Sequence, residues 1–196
     1  QFFTASEFKQ KYNIEVEDFQ IENAEIGLAI ENGAADIRNV SIDNSLENAI
    51  FTKNAAISIE NARLTNSKGV GLRISSGTDI DVLQASFEKN RIGVVAEGNA
   101  DIALRETSLK DNEIGVLDLG AKLNMVKSDI QKNKIGFVSE NIPTDDIKNS
   151  VTQNQENFSS NAENLKNTLA NAPFTIVASA PNLSIVITSE SANILL

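Results

Sequence analysis

Apolar and polar positions recur along most of the chain with a period of about 22 residues. Six short triplets mark the repeat, with central residues at 27, 49, 71, 93, 115 and 136. Upstream of each triplet runs the template apolar-x-apolar-x-x-small-x-apolar, as in Ile80, Val82, Ala85 and Phe87 before Gly93. Alternation with period two predicts short, half-buried strands, whereas the i, i+3, i+4, i+7 spacing of an amphipathic helix is missing from these runs.

Strands this short cannot form a stable sheet within one repeat. The fixed period instead predicts that equivalent strands of successive coils stack into parallel sheets around one continuous core. The predicted fold is therefore all-β, a parallel β-helix solenoid of about seven 22-residue coils between Asn13 and Asn157. At about 4.8 Å per coil, the rod would be roughly 30–35 Å long.

An Asn residue follows the last apolar position of several coils by two or three residues. The members of this row are Asn66, Asn90, Asn112, Asn133 and Asn154. Because Asn tolerates left-handed backbone and bonds locally, we expect turns whose side chains hydrogen-bond from coil to coil. A ligand-binding Asn row is the alternative. The triplet glycines are expected to supply a second conformationally permissive corner.

The repeated template resembles the right-handed parallel β-helix repeats of the pectate-lyase-like superfamily, which includes carbohydrate-binding and sugar-hydrolase modules. The resemblance covers most of the chain, from about Asn13 to Asn157. It implies right-handed coils. It leaves the activity open, because this fold carries lyases, hydrolases, epimerases, adhesins and inert scaffolds.

The segments outside the repeats differ in composition. Residues 1–12 are expected to form an N-terminal cap with a short helix, and residues 158–172 a linker or short helix. Residues 173–196 are expected to form a C-terminal β segment. Within it, two β-prone runs, Phe174–Ala178 and Leu183–Thr188, flank a Pro-Asn turn and predict a hairpin or strand pair.

The composition excludes several kinds of binding partner and catalytic group. The net charge of −10 argues against a nucleic-acid partner, which needs a basic surface. The chain contains no Cys and no His, so thiolate and imidazole chemistry are excluded. No run reaches the 18 or so apolar residues of a membrane span. We expect no cofactor and no metal site. A start at Gln1 indicates a processed or trimmed chain, explained either by a removed signal peptide or by an arbitrary cut; we favour the signal peptide, and hence expect an extracellular, cell-surface or periplasmic protein.

The positions after the inward residues of the triplets predict an apolar outer face. This column consists of Ala29, Phe51, Arg73, Val95, Leu117 and Val138. A contiguous apolar stripe usually marks an interface, and either the C-terminal segment or another protein could cover it. Together with the C-terminal β segment, the interface candidates are Phe51, Arg73, Val95, Leu117, Val138, Phe174, Ile176, Ile185 and Ile187.

The best alternative site is a charged cluster on adjacent coils, formed by Asp81, Arg105 and Glu106. Glycosidases need paired carboxylates, and lyases need a base near a cation. Alternating charges are, however, the usual state of a solvated face, so we predict no catalytic residues.

Three functions follow from this sequence. The favoured one is a non-catalytic surface or extracellular structural protein that self-associates as a homo-oligomer or docks other surface proteins through the apolar column and the C-terminal β segment. The second is a carbohydrate-binding module, although one Tyr and no Trp leave few sugar-stacking rings. The third is a polysaccharide lyase or hydrolase.

Overall fold

Three parallel sheets wrap around one core. The computed structural model describes residues 13–75, 79–141, 147, 150–160 and 185–188. The first sheet contains β1 (Asn13–Glu17), β4 (Ala34–Arg38), β7 (Ala56–Glu60), β10 (Asp79–Leu83), β13 (Asp101–Arg105) and β16 (Lys122–Val126). The second contains β2 (Gln20–Glu22), β5 (Ser41–Asp43), β8 (Arg63–Thr65), β11 (Ser86–Glu88), β14 (Ser108–Lys110), β17 (Asp129–Gln131) and β19 (Val151–Thr152). The third contains β3 (Ile26–Glu31), β6 (Asn48–Lys53), β9 (Val70–Ser75), β12 (Ile92–Glu97), β15 (Ile114–Leu119), β18 (Ile135–Ser139), β20 (Glu156–Ser159) and β21 (Ile185–Thr188).

Every strand pair in these sheets is parallel, and each coil contributes one strand to each sheet. Six coils are complete among the described residues, and the seventh supplies only β19 and β20. The predicted all-β parallel solenoid is confirmed. The predicted N-terminal cap, residues 1–12, lies outside the described residues. So does most of the predicted linker or short helix, residues 158–172, whose first two residues, Phe158 and Ser159, belong to β20.

The core is built from columns of equivalent side chains. In the third sheet, one residue per coil forms an inward column: Leu28, Ile50, Leu72, Val94, Val116 and Phe137. The first five are fully buried and Phe137 is 2% exposed. Because each side chain stacks on its counterpart one coil away, the core runs without interruption along the rod.

Most of the described corners between strands rest on residues in the left-handed region. They form three rows, each with φ between 50° and 93°. The rows are Asp18, Asn39, Asn61, Gln84, Glu106 and Lys127; Asn23, Asn44, Asn66, Lys89, Asp111, Lys132 and Gln153; and Asn32, Asn54, Gly98 and Gly120. Asn and Asp occupy the early coils, where their cost in this region is low, whereas longer side chains occupy most of the later corners.

The Asn row differs from its prediction. Asn66 is a left-handed corner residue, while Asn90, Asn112, Asn133 and Asn154 each follow such a corner and turn inward as a ladder. Their coil-to-coil hydrogen bonding is confirmed. Their predicted left-handed backbone was wrong, because the residue before each of them makes the turn.

The triplet glycines are needed because there is no space for a side chain between the coils, and not because the backbone there is left-handed. Gly93 is absent from the left-handed region, so the prediction of a permissive corner was wrong. A Cβ atom on Gly93 would lie 2.6 Å from the carbonyl oxygen of Gly115 and 3.1 Å from Leu109. Glycine is therefore required because the backbones of neighbouring coils approach too closely for a side chain.

Candidate functional site

The predicted outer column is in register along the third sheet. Its six members, Ala29, Phe51, Arg73, Val95, Leu117 and Val138, are paired strand to strand from β3 to β18. Val94 and Ala96, which flank Val95 in β12, belong to the main core. Since alternate residues of a strand point to opposite faces, Val95 and its column lie on the outer face.

The later part of this outer face is apolar and shielded from solvent. Leu117 and Val138 are fully buried and Val95 is 1% exposed. They form a second apolar cluster, separate from the main core, whose other described members are Val70, Ile92 and Ile114, with Leu119 and Ile135 packed against it. All of these described members lie on β9, β12, β15 and β18. The part of the third sheet that carries this cluster is therefore shielded on both faces.

Around Phe51 and Arg73 the outer face is more polar and more open. Phe51 is partly exposed, and Arg73 points to Glu97, whose carboxylate oxygen accepts hydrogen bonds from Nε at 3.1 Å and from a terminal guanidinium nitrogen at 2.8 Å. This ion pair is partly exposed, so it contributes little to stability. It separates the apolar cluster from Ala29 and Phe51.

A strand from the C-terminal β segment completes the same sheet. β21 pairs in parallel with β3, so that Ile185 stands opposite Leu28 and Ile187 opposite Ile30. β20, the last strand of the coils, lies at the other end of the sheet. β20 and β21 therefore lie at opposite ends of the third sheet. Phe174 and Ile176 lie outside the described residues.

The alternative charged cluster is only partly assembled. Arg105 donates a hydrogen bond to Asp81 at 2.7 Å, and both side chains are about half exposed. Glu106 instead occupies a left-handed corner, where it accepts from Gln84 at 3.0 Å and lies 3.5 Å from Lys127. These two contacts lower the pKa of Glu106. A carboxyl held in its ionised form suits a general acid poorly.

One acidic pair was not singled out from the sequence. Glu25 and Glu47 occupy equivalent positions of consecutive coils, and the backbone N–H of Glu47 donates to the carbonyl of Glu25 at 2.8 Å. Burial raises the pKa of Glu47, and the neighbouring charge of Glu25 raises it further. The 22-residue period could have revealed this stack, because it aligns the two residues directly.

A shallow cavity of about 340 Å³ was also missed. It lies at the end of the third sheet and is lined by Phe137, Ser139, Glu140, Asn141, Phe158, Ser159 and Ser160. The rings of Phe137 and Phe158 are 6.3 Å apart and tilted by 58°, and Phe158 is 37% exposed. An exposed ring beside hydroxyl, amide and carboxylate groups suits a small polar ligand with an apolar face.

The described residues show neither a group of three or more carboxylates positioned to hold a metal ion nor a helix long and apolar enough to cross a membrane.

Comparisons with curated proteins and with solved structures found no match. A family model described as a right handed beta helix region matches residues 26–186. That match covers most of the chain and includes part of β21. The chain therefore belongs to the right-handed β-helix family.

Proposed function

We propose that this protein is a non-catalytic structural or assembly protein of the cell surface or extracellular space, which associates with further copies or with other proteins through its third sheet. The observation that carries this proposal is the pairing of β21 with β3. A segment from the far end of the chain adds a strand to a sheet edge, and strand addition is a common mode of protein association.

A comparison of the outer faces of the first and third sheets also supports association through the third sheet. In the first sheet the outward positions carry charges, such as Arg38, which contacts Glu15, Glu17 and Asp36. In the third sheet, Val70, Ile92, Val95, Ile114, Leu117 and Val138 instead form the second apolar cluster. A parallel sheet with two apolar faces requires packing against both, so this face suits a protein surface better than a solvated glycan chain.

The polar chemistry favours a structural role over catalysis. The two carboxylates of the charged cluster have separate partners, since Asp81 pairs with Arg105 while Glu106 contacts Gln84 and Lys127. A glycosidase requires two carboxyl groups that face one substrate, one of them with a raised pKa. The cluster does not offer this arrangement.

Light scattering across protein concentrations up to about 1 mM tests the proposal, since that range approaches the effective concentration of a tethered segment. We expect a mass above that of one chain, or capture of a defined protein partner whose binding buries the third sheet. Ile135→Asp, at the rim of the apolar cluster, should weaken the association. Leu83→Asp, on the partly exposed outer face of the first sheet, is the matched control. A single-chain mass throughout, with no effect of Ile135→Asp on any partner, contradicts the proposal.

The cavity beside Phe158 favours one second candidate, a carbohydrate-binding or carbohydrate-cleaving protein. Its volume of about 340 Å³ would hold one or two sugar rings, with the exposed face of Phe158 beneath them. Calorimetric titration and turnover assays with a panel of oligosaccharides test this candidate. Binding that is lost in Phe158→Ala and kept in Phe19→Ala, another exposed ring, would favour it over the structural role.

A further inference from the structure

We infer that β21 is an exchangeable strand: the edge of β3 accepts Ile185–Thr188 either from its own chain or from a second copy of this chain. This inference rests on the proposed function and names its partner. The interaction surface is the β3 edge, and its occupant is an extended, parallel, β-prone segment.

In a solenoid, a strand normally pairs with strands of the preceding and following coils. β21 instead follows the last coil along the chain and pairs with β3 of the first coil. Four consecutive positions are paired, from Ile185 opposite Leu28 to Thr188 opposite Glu31. In the sheet order β21 occupies the place of a strand that would precede the first coil. Without it, the β3 edge would present unpaired N–H and C=O groups, which any suitable strand can satisfy.

The length of the connection permits both arrangements. Twenty-five residues, 160–184, lie between the end of β20 and the start of β21. Eight strands at about 4.8 Å each place the two ends of the third sheet about 34 Å apart, whereas 25 extended residues reach about 80 Å. The connection is therefore more than twice as long as the distance it has to cover, so the same strand can reach a neighbouring molecule.

Mass action sets the balance between the two arrangements. The hydrogen bonds and register of β21 with β3 are the same whether the strand comes from its own chain or from a second copy. The exchanged form is therefore less favourable only because its strand is not held near β3 by the same chain. A tether of this length corresponds to an effective concentration of roughly 1 mM. We therefore expect the strand to pair within its own chain at micromolar concentrations and to exchange when copies are crowded, as on a surface. One-way exchange joins the C-terminal strand of one copy to the N-terminal coil of the next, which is a head-to-tail arrangement, whereas reciprocal exchange gives a closed dimer.

Cysteine pairs placed across this junction test the inference, since the chain has no Cys of its own. Ala29→Cys faces Val186→Cys, and Glu31→Cys faces Thr188→Cys. Paired positions are about 4.8 Å apart, within disulfide range. The mismatched pairs, Ala29→Cys with Thr188→Cys and Glu31→Cys with Val186→Cys, use the same four residues at a separation of about 8 Å, beyond that range.

Each single-cysteine variant carries a different tag. The two variants of a matched or mismatched pair are mixed, refolded together at about 1 mM and oxidised slowly. We expect inter-copy disulfides between matched positions at a yield at least about tenfold above that of mismatched positions. Equal yields, or none from either matched pair, would overturn the inference. Circular dichroism establishes that each variant is folded, and the second matched pair covers a failure of the first.

A locked double variant, Ala29→Cys/Val186→Cys oxidised within one chain, separates this inference from the proposed function. If the locked protein no longer associates, strand exchange is the route of assembly. If it associates as the unmodified protein does, exchange is wrong and the proposed function depends on another surface. If neither associates and no partner binds, both are wrong.

Discussion

A single side-chain oxygen of Asn133 accepts both the backbone N–H and the side-chain amide of Asn112, at 2.9 and 3.0 Å. Asn112 in turn accepts the backbone N–H of Asn90 at 2.8 Å and donates to the carbonyl of Phe87 at 3.0 Å. Both ladder residues are at most 3% exposed. Each buried amide thus ties together three successive coils, so the ladder stabilises the stacking of coils as well as the turn.

Asn112→Ala should destabilise the protein by about 2–3 kcal/mol, because it leaves the buried N–H of Asn90 without its acceptor and removes the amide hydrogen bonds to Phe87 and Asn133. Asn154→Ala, at the partly exposed end of the ladder, should cost about 1 kcal/mol, because water can replace the lost bonds there. Urea unfolding of both variants measures the difference. Equal costs at the two positions would show that burial of the ladder contributes nothing.

Gly93→Ala should destabilise the protein by about 2–3 kcal/mol through steric overlap with the carbonyl of Gly115. Gly120→Ala tests the other role of glycine, since Gly120 has a φ of 93° and its nearest neighbour to a new Cβ is 3.8 Å away. Backbone strain alone should cost about 1 kcal/mol there. Thermal unfolding of the two variants distinguishes them, and a larger cost at Gly120 would contradict the steric explanation for Gly93.

The fold could be predicted from the sequence because one observation, the 22-residue period, fixes which residues are equivalent. The roles of individual turn residues could not. Asn66 and Asn90 look alike in the sequence, yet Asn66 makes the corner and Asn90 fills the ladder. The difference lies in their distance from the preceding strand, since Asn66 is the first residue after β8 and Asn90 is the second residue after β11, one past the corner at Lys89.

Lys89→Asn should stabilise the protein by about 0.5–1 kcal/mol. Lys89 is exposed and has a φ of 57°, a conformation that costs a long side chain more than it costs Asn. Lys134→Asn removes the same charge from an exposed residue without left-handed backbone and serves as the control, with no expected gain. Chemical denaturation at pH 7 measures both. A similar gain in the control would mean that the charge, and not the backbone, is responsible.

Acid should weaken the structure in part through Asp43. The hydroxyl of Thr65, which donates to Asp43 at 2.6 Å, and the amide of Asn66 lower the pKa of this carboxyl. A lowered folded-state pKa gives stability that is complete above the unfolded value of about 4 and is lost as the pH falls through the folded value. Thr65→Val should therefore destabilise the protein at pH 7, and its deficit should shrink below about pH 4.

Urea unfolding from pH 7 to pH 2.5 measures this effect. Thr107→Val is the matched control, because the hydroxyl of Thr107 donates to the carbonyl of Arg105, which does not titrate. Its deficit should remain constant with pH. A parallel pH profile for the two variants would exclude the contribution of Asp43.

The candidate site could be predicted only as a column of residues. Alternation identified Val95, Leu117 and Val138 as one outer row, and the strand register confirms that they are aligned. Burial of that row could not be derived from it, because solvent exposure depends on what packs above the sheet. The cavity beside Phe158 could not be derived either, because it forms where the repeat ends and the template no longer applies.

Leu117→Ala tests whether the outer apolar cluster behaves as part of the folded single chain. Leu117 is fully buried outside the main core, so its truncation should cost about 2–4 kcal/mol, as in a core. Leu83→Ala, at a partly exposed outer position of the first sheet, should cost less than about 1 kcal/mol. If the chain itself covers the cluster, the cost at Leu117 is the same at micromolar and at near-millimolar protein. A cost that appears only at high concentration would instead show that a second copy provides the cover, because only an intermolecular contact responds to protein concentration.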